Sequence, residues 1–96
     1  MPSKTVTLRN GSGLHARPAA DFAKAAARFE SAVVVSHGDK TANGKSVLSL
    51  LTLNCQQGDE ITIHSDGPRA DEALEALVRV VEAGLGEPQT PDGAGR

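Results

Sequence analysis

Apolar and polar residues alternate over Thr5-Val6-Thr7-Leu8, a β-branched run that predicts a first strand over residues 5–8. Asn10-Gly11-Ser12-Gly13 interrupts it as a loop, where glycines let the backbone turn sharply or approach a ligand closely. Beyond that loop the apolar spacing becomes helical. Ala19, Phe22, Ala23, Ala26 and Phe29 recur on one face, and the alanine-rich run predicts a helix over residues 16–29. Pro18 fits only the first turn of such a helix, where its missing N–H breaks no intrahelical bond. The helix therefore starts within a residue or two of His15.

Val33-Val34-Val35 centres a second strand over residues 32–36. His37-Gly38-Asp39-Lys40 then predicts a hairpin turn into a short third strand near Thr41-Ala42, ended by Asn43-Gly44. Ser46 stands as the N-cap of a short apolar helix over residues 47–53. After a turn at Gln57-Gly58-Asp59, residues 60–64 alternate as a fourth strand, with Ile61 and Ile63 towards the core and Thr62 and His64 outward. Asp66-Gly67-Pro68 closes it. A last helix over residues 70–83 carries the apolar stripe Ala70, Ala73, Leu74, Leu77, Val78 and Val81. Asp71 and Glu72 suit the positive end of its dipole, and Gly84 stops it. The expected organisation is one domain over residues 1–87 and a disordered Gly- and Pro-bearing tail over 88–96. Hairpin-linked strands favour an antiparallel sheet with amphipathic helices over one face, an α+β open-faced sandwich. The pattern leaves the strand order open.

Composition narrows the functional classes. Ninety-six residues support one modest core, and a hydrophobic content of 39% is that of a globular chain. A net charge of −2 argues against broad electrostatic binding to nucleic acid, and two Phe with no Tyr or Trp leave few rings for stacking on bases. The single cysteine, Cys55, allows no intramolecular disulfide. No apolar run matches a secretion signal or a membrane span, so a soluble cytoplasmic protein is the expectation.

The candidate chemistry lies at the starts of the first two helices. At a helix N-terminus the first backbone N–H groups lack intrahelical partners, and the dipole adds positive charge, so phosphate binds well there. His15 offers a ring nitrogen at that place, and Arg17 adds a permanent cation whose donor fork matches phosphate oxygens. The competing reading is that His15 only caps the helix and Arg17 is a solvated charge. Ser46 has the same duality: an N-cap, and a position where a phosphate would meet free N–H groups. Beside it, Val47, Leu48 and Leu51 cannot all be buried by so short a helix. They form either an exposed docking patch or a satellite of the core. His37 and His64 read as structural, because no third ligand at metal spacing accompanies them. Cys55 reads as a small packed hydrophobe. Gly44-Lys45-Ser46 imitates the end of a P-loop, but Asp39 stands where that motif needs glycine, which discounts nucleotide binding.

Gly13-Leu14-His15-Ala16-Arg17-Pro18-Ala19 resembles the phosphohistidine site of the HPr family, the histidine-containing phosphocarriers of the bacterial phosphotransferase system. Gly44-Lys45-Ser46-Val47-Leu48 resembles that family's regulatory serine region, with Leu48 where many relatives have methionine. The resemblance implies a four-stranded antiparallel sheet covered on one face by three helices, in the order βαββαβα. It implies a monomeric carrier with no cofactor or metal. Enzyme I, charged from phosphoenolpyruvate, would pass a phosphoryl group to His15, and His15 would pass it to IIA domains of sugar permeases. Arg17 would stabilise that group. A serine kinase/phosphorylase acting on Ser46, and a carbohydrate-responsive transcription regulator, are the further partners it implies. Two alternatives stay open: a phosphoserine-dependent corepressor module working through Ser46, Val47, Leu48 and Leu51, and a carrier in a nitrogen- or dihydroxyacetone-linked relay.

Overall fold

A computed structural model describes residues 2–9 and 13–84. Its elements run β1 (Ser3–Thr7), α1 (Ala16–Ala26), β2 (Ala32–His37), β3 (Lys40–Asn43), α2 (Val47–Leu51), β4 (Glu60–Asp66) and α3 (Ala70–Glu82). The strands form one four-stranded sheet in the order β1-β4-β2-β3, with every pair antiparallel. Three helices accompany the sheet as an α+β open-faced sandwich. The tail expected to be disordered, residues 88–96, lies outside the described residues, as do Asn10, Gly11 and Ser12.

The strand period sorts side chains onto the two faces. Val6, Val33, Val35, Ala42, Ile61 and Ile63 are buried in one core with Ala19, Phe22, Leu50, Leu77 and Val81 from the helices. Burying each large aliphatic or aromatic chain contributes roughly 1.5–3 kcal/mol, so this layer holds the sandwich together. The opposite face is mainly polar, with Val34 exposed on it. Thr5 and Thr62 hydroxyls lie 2.9 Å apart, and the Ser36 hydroxyl lies 3.0 Å from His64 Nε2. Thr62 and His64 therefore sit on the outward face as the alternation predicts, half-buried by their neighbours.

All three helices end short of their predicted C-termini, α1 by three residues, α2 by two and α3 by one. α1 stops at Ala26, after which Arg28 and Phe29 N–H bond to Ala25 and Ala26 carbonyls in the tighter i−3 pattern. The Phe29 carbonyl, freed from the helix, accepts from Lys45 Nζ at 2.7 Å. Phe29 is thus half-buried instead of lying on the inner face, and the Arg69 guanidinium sits 5.9 Å from its ring centroid. α2 likewise ends at Leu51; Leu53 and Asn54 N–H bond to Leu50 and Leu51 carbonyls, and Asn54 adopts φ 52. That reversal turns Leu53 fully into the core. In α3, Ala73, Leu77, Val78 and Val81 are buried, while Ala70 and Leu74 at the stripe's margin are half-buried. β1 begins two residues before its predicted start because Ser3 and Lys4 pair with His64 and Ile63. No described helix is long and apolar enough to cross a membrane.

Candidate functional site

His15 occupies the N-cap of α1 with extended backbone angles, φ −89° and ψ −173°. Its carbonyl accepts the first intrahelical bond, from Ala19 N–H at 2.8 Å. The side chain makes no capping hydrogen bond and is exposed, so the simple capping role considered for it is not the one it plays. Arg17, also exposed, lies in the first turn, and buried Pro18 follows it. Pro18 has no N–H, so the backbone donors that open the helix come from Ala16 and Arg17. The site is thus a bare imidazole and a guanidinium at the surface over a positive helix end.

What holds this site is a segment that local patterns do not reveal, residues 53–59. Leu14 N–H donates to the Cys55 carbonyl at 3.2 Å. Gly13 lies at φ +63°, with its backbone against Cys55 and Gln56: a Cβ there would meet the Cys55 carbonyl oxygen at 2.4 Å and Gln56 Cα at 2.6 Å. The glycine's close approach is therefore to the chain's own backbone. On the other side of the loop, Leu8 N–H donates to the Asp59 carbonyl at 2.9 Å, and Gly58 N–H donates to the Leu8 carbonyl at 2.8 Å. Gln57 adds its side-chain amide to the Arg9 carbonyl at 3.2 Å. Both described ends of the loop that carries His15 hang on this one segment.

The Cys55 side chain faces inward, 2% exposed, as a small packed hydrophobe. Burial foremost, then the Asp59 carboxylate, pushes its thiol up to about 11, against a smaller opposing effect of Lys40. It therefore remains a neutral thiol at physiological pH and no nucleophile.

Ser46 caps α2 as the sequence predicts: its hydroxyl accepts from Ser49 N–H at 3.2 Å, and its carbonyl accepts from Leu50 N–H at 3.0 Å. The three apolar neighbours divide. Val47 is half-buried and packs against the core, whereas Leu48 is 77% and Leu51 36% exposed. The exposed apolar pair thus lies on α2, next to α1, with which α2 packs. A surface depression of about 660 Å³ lined by Glu30, Val34, Asn43, Lys45 and Ser49 does not include His15. Among the described residues, no group of three or more His, Cys, Asp or Glu side chains could hold a metal ion.

The family model described as the PTS HPr component phosphorylation site matches residues 2–83. The phosphocarrier protein HPr of Vibrio cholerae is 40% identical over 82 residues, covering 85% of this chain and 96% of its own length. That of Haemophilus influenzae is 43% identical over 81 residues, covering 84% and 95%. Among solved structures, HPr-C-His from Thermoanaerobacter tengcongensis matches with a TM-score of 0.87 at 36% identity, covering 92% of this chain and 99% of that one. An open-faced sandwich with this match is a phosphocarrier of the phosphotransferase system. The chain belongs to the HPr family.

Proposed function

We propose that His15 is the residue that carries the phosphoryl group, receiving it from phosphorylated enzyme I and passing it to IIA domains of sugar permeases. The observation that carries this reading is the unbonded, exposed imidazole at the N-cap of α1, two residues from Arg17. A lone pair on a ring nitrogen attacks phosphorus, the bond from phosphorus to the donor breaks, and the imidazole ends with its new P–N bond. Catalysis of such a transfer is mostly positioning and charge stabilisation. Ala16 and Arg17 N–H groups and the helix dipole lie where the new negative charge arrives, and the Arg17 guanidinium can bond its oxygens in a fork. A surface site suits partners that bring their own acid–base groups. The protein then works in the cytoplasm as a carrier between macromolecules, with residues 1–87 as its working domain. Incubation with enzyme I and phosphoenolpyruvate, followed by mapping of the acid-labile phosphate, tests the assignment; phosphate found on another residue overturns it.

Arg17→Ala is expected to slow transfer by about 10- to 100-fold, the effect of losing one or two charge-assisted hydrogen bonds in the transition state. Because the side chain is exposed, its melting temperature should stay close to that of the parent. A stopped-flow transfer assay with a thermal melt separates the two, and an unfolded variant removes the support for this role.

Ser46 is, in the same proposal, a regulatory phosphorylation site, with exposed Leu48 and Leu51 as the apolar part of the docking face and half-buried Val47 beneath them. The supporting observation is that Ser46 caps a helix whose next exposed residue is apolar. Ser46→Ala should lower stability by about 0.5–2 kcal/mol through the lost cap. Ser46→Asp keeps a capping oxygen and adds charge beside the patch, so it should melt near the parent temperature yet accept phosphate from enzyme I more slowly. Equal transfer rates for parent and Ser46→Asp would sink the regulatory role.

A further inference from the structure

The 53–59 segment has its own anchor, and it is a histidine outside the HPr-like motifs. His37, the last residue of β2, places Nδ1 3.1 Å from the Leu53 carbonyl and Nε2 3.3 Å from Asp59 Oδ2. The ring thus spans the segment from its first residue to its last. The same Asp59 Oδ2 accepts Gln56 N–H at 2.9 Å, and Asp59 N–H donates to the Gln56 carbonyl at 3.0 Å. Gln56 and Cys55 are the residues on which Gly13 and Leu14 rest. A continuous set of bonds therefore runs from His37 through Asp59 and Gln56 to the peptide preceding His15.

We propose that His37 and Asp59 are a positioning pair for phosphoryl transfer, holding residues 53–59 in the shape that seats Gly13-Leu14 and so aims His15. This rests on the reading of His15 given above. The hydrogen-bond inventory sets the role of each ring nitrogen in the brace. The Leu53 carbonyl only accepts, so Nδ1 carries a proton; the Asp59 carboxylate also only accepts, so Nε2 donates when it too is protonated. The charged group in contact with the ring is Asp59, and Lys40 is the cross-strand partner of His37 on β3. Cys55 stays a neutral thiol and adds no charge.

The experiment measures amide hydrogen-exchange protection of Leu14, whose N–H bonds to Cys55, in the parent, His37→Ala and Asp59→Asn. Gly44 N–H, bonded to the Val33 carbonyl at 2.7 Å, serves as a remote control. At one fixed pH, the parent should protect Leu14 about 3- to 10-fold more than either variant, the effect of one net hydrogen bond, while Gly44 protection is the same in all three. Each variant should also transfer phosphate from enzyme I about 3- to 10-fold more slowly, with the phosphate still on one residue. Asp59→Asn retains an oxygen for Gln56 N–H, so a folded variant is available even where His37→Ala unfolds. Unchanged Leu14 protection in Asp59→Asn overturns the proposal. So does an equal fall in Leu14 and Gly44 protection, which would mark general destabilisation. A phosphate mapped away from His15 in the parent overturns the acceptor assignment instead, while the Leu14 measurement still decides whether the brace exists.

Discussion

His15→Ala is expected to take up no phosphate from phosphorylated enzyme I and to keep its fold. The two halves of this expectation have separate physical grounds. Uptake needs a nucleophile with a free lone pair at the surface, and among the described residues at this helix start His15 offers it. Arg17 is a permanent cation, and the buried Cys55 is held as a thiol by its surroundings. Arg17 and the helix end can bind a phosphate but cannot form a bond to phosphorus, so removing His15 removes the reaction and not merely its rate. The fold half rests on exposure. The His15 side chain makes no capping hydrogen bond, so its loss leaves no buried group unpaired. Exposed substitutions of this kind stay within about 0.5 kcal/mol, or a few degrees of melting temperature. Phosphate incorporation and a thermal melt on the same sample check both halves. A folded variant that still gains one acid-labile phosphate would move the acceptor elsewhere; an unfolded one would show that His15 is structural.

The order of elements and the inner faces were legible in the sequence because period-two and helical spacings are local signals. Ile61, Ile63, Phe22 and Leu77 are buried where those spacings place them. The starts of the first two helices were equally legible: Pro18 fixes that of α1, and the Ser46 hydroxyl caps α2. Helix ends were not. Apolar periodicity continues through Phe29 and Leu53, but the chain must turn there towards β2 and towards the core, and i−3 bonds with a left-handed Asn54 end the helices earlier. The strand order was illegible for a different reason. Hairpin signals join neighbours in sequence, whereas β4 inserts between β1 and β2 through pairings such as Val6 with Ile61 and Val35 with Ile63. No spacing in one strand specifies a partner that far along the chain.

The same locality limit explains which part of the site stayed hidden. His15, Arg17 and Pro18 lie in one short run, so their types and spacing are visible together as a candidate site. The groups that hold them, Cys55, Gln56, Gly58 and Asp59, are about 40 residues away and bind through main-chain atoms that any sequence possesses. The one trace they leave is the glycine at 13, a residue type whose necessity shows only once the opposing backbone is in view. With His15 as the proposed acceptor, the loop would supply the reactive atoms and the distant turn their placement.

That division makes Gly13→Ala the most damaging substitution expected outside His15 itself. Two effects combine at this position. The left-handed backbone at φ +63° disfavours any L side chain by roughly 1–2 kcal/mol. The added Cβ would also lie 2.4 Å from the Cys55 carbonyl oxygen and 2.6 Å from Gln56 Cα, and neither is the yielding end of a flexible side chain. The loop must move off the 53–59 segment, stretching the bond from Leu14 N–H to Cys55. A total loss of about 2–4 kcal/mol is expected in denaturant unfolding. Transfer should fall further than stability requires, by about 10- to 100-fold, because a displacement near 1 Å at the reacting nitrogen is enough for that. Gly38→Ala separates the contributions: Gly38 has nearly the same φ, +61°, but a Cβ there meets nothing within 4 Å. It should show the backbone penalty alone, about 1–2 kcal/mol, with normal phosphate transfer. If both alanine variants lose the same stability and transfer equally well, the packing of Gly13 on Cys55 and Gln56 is not what aims His15.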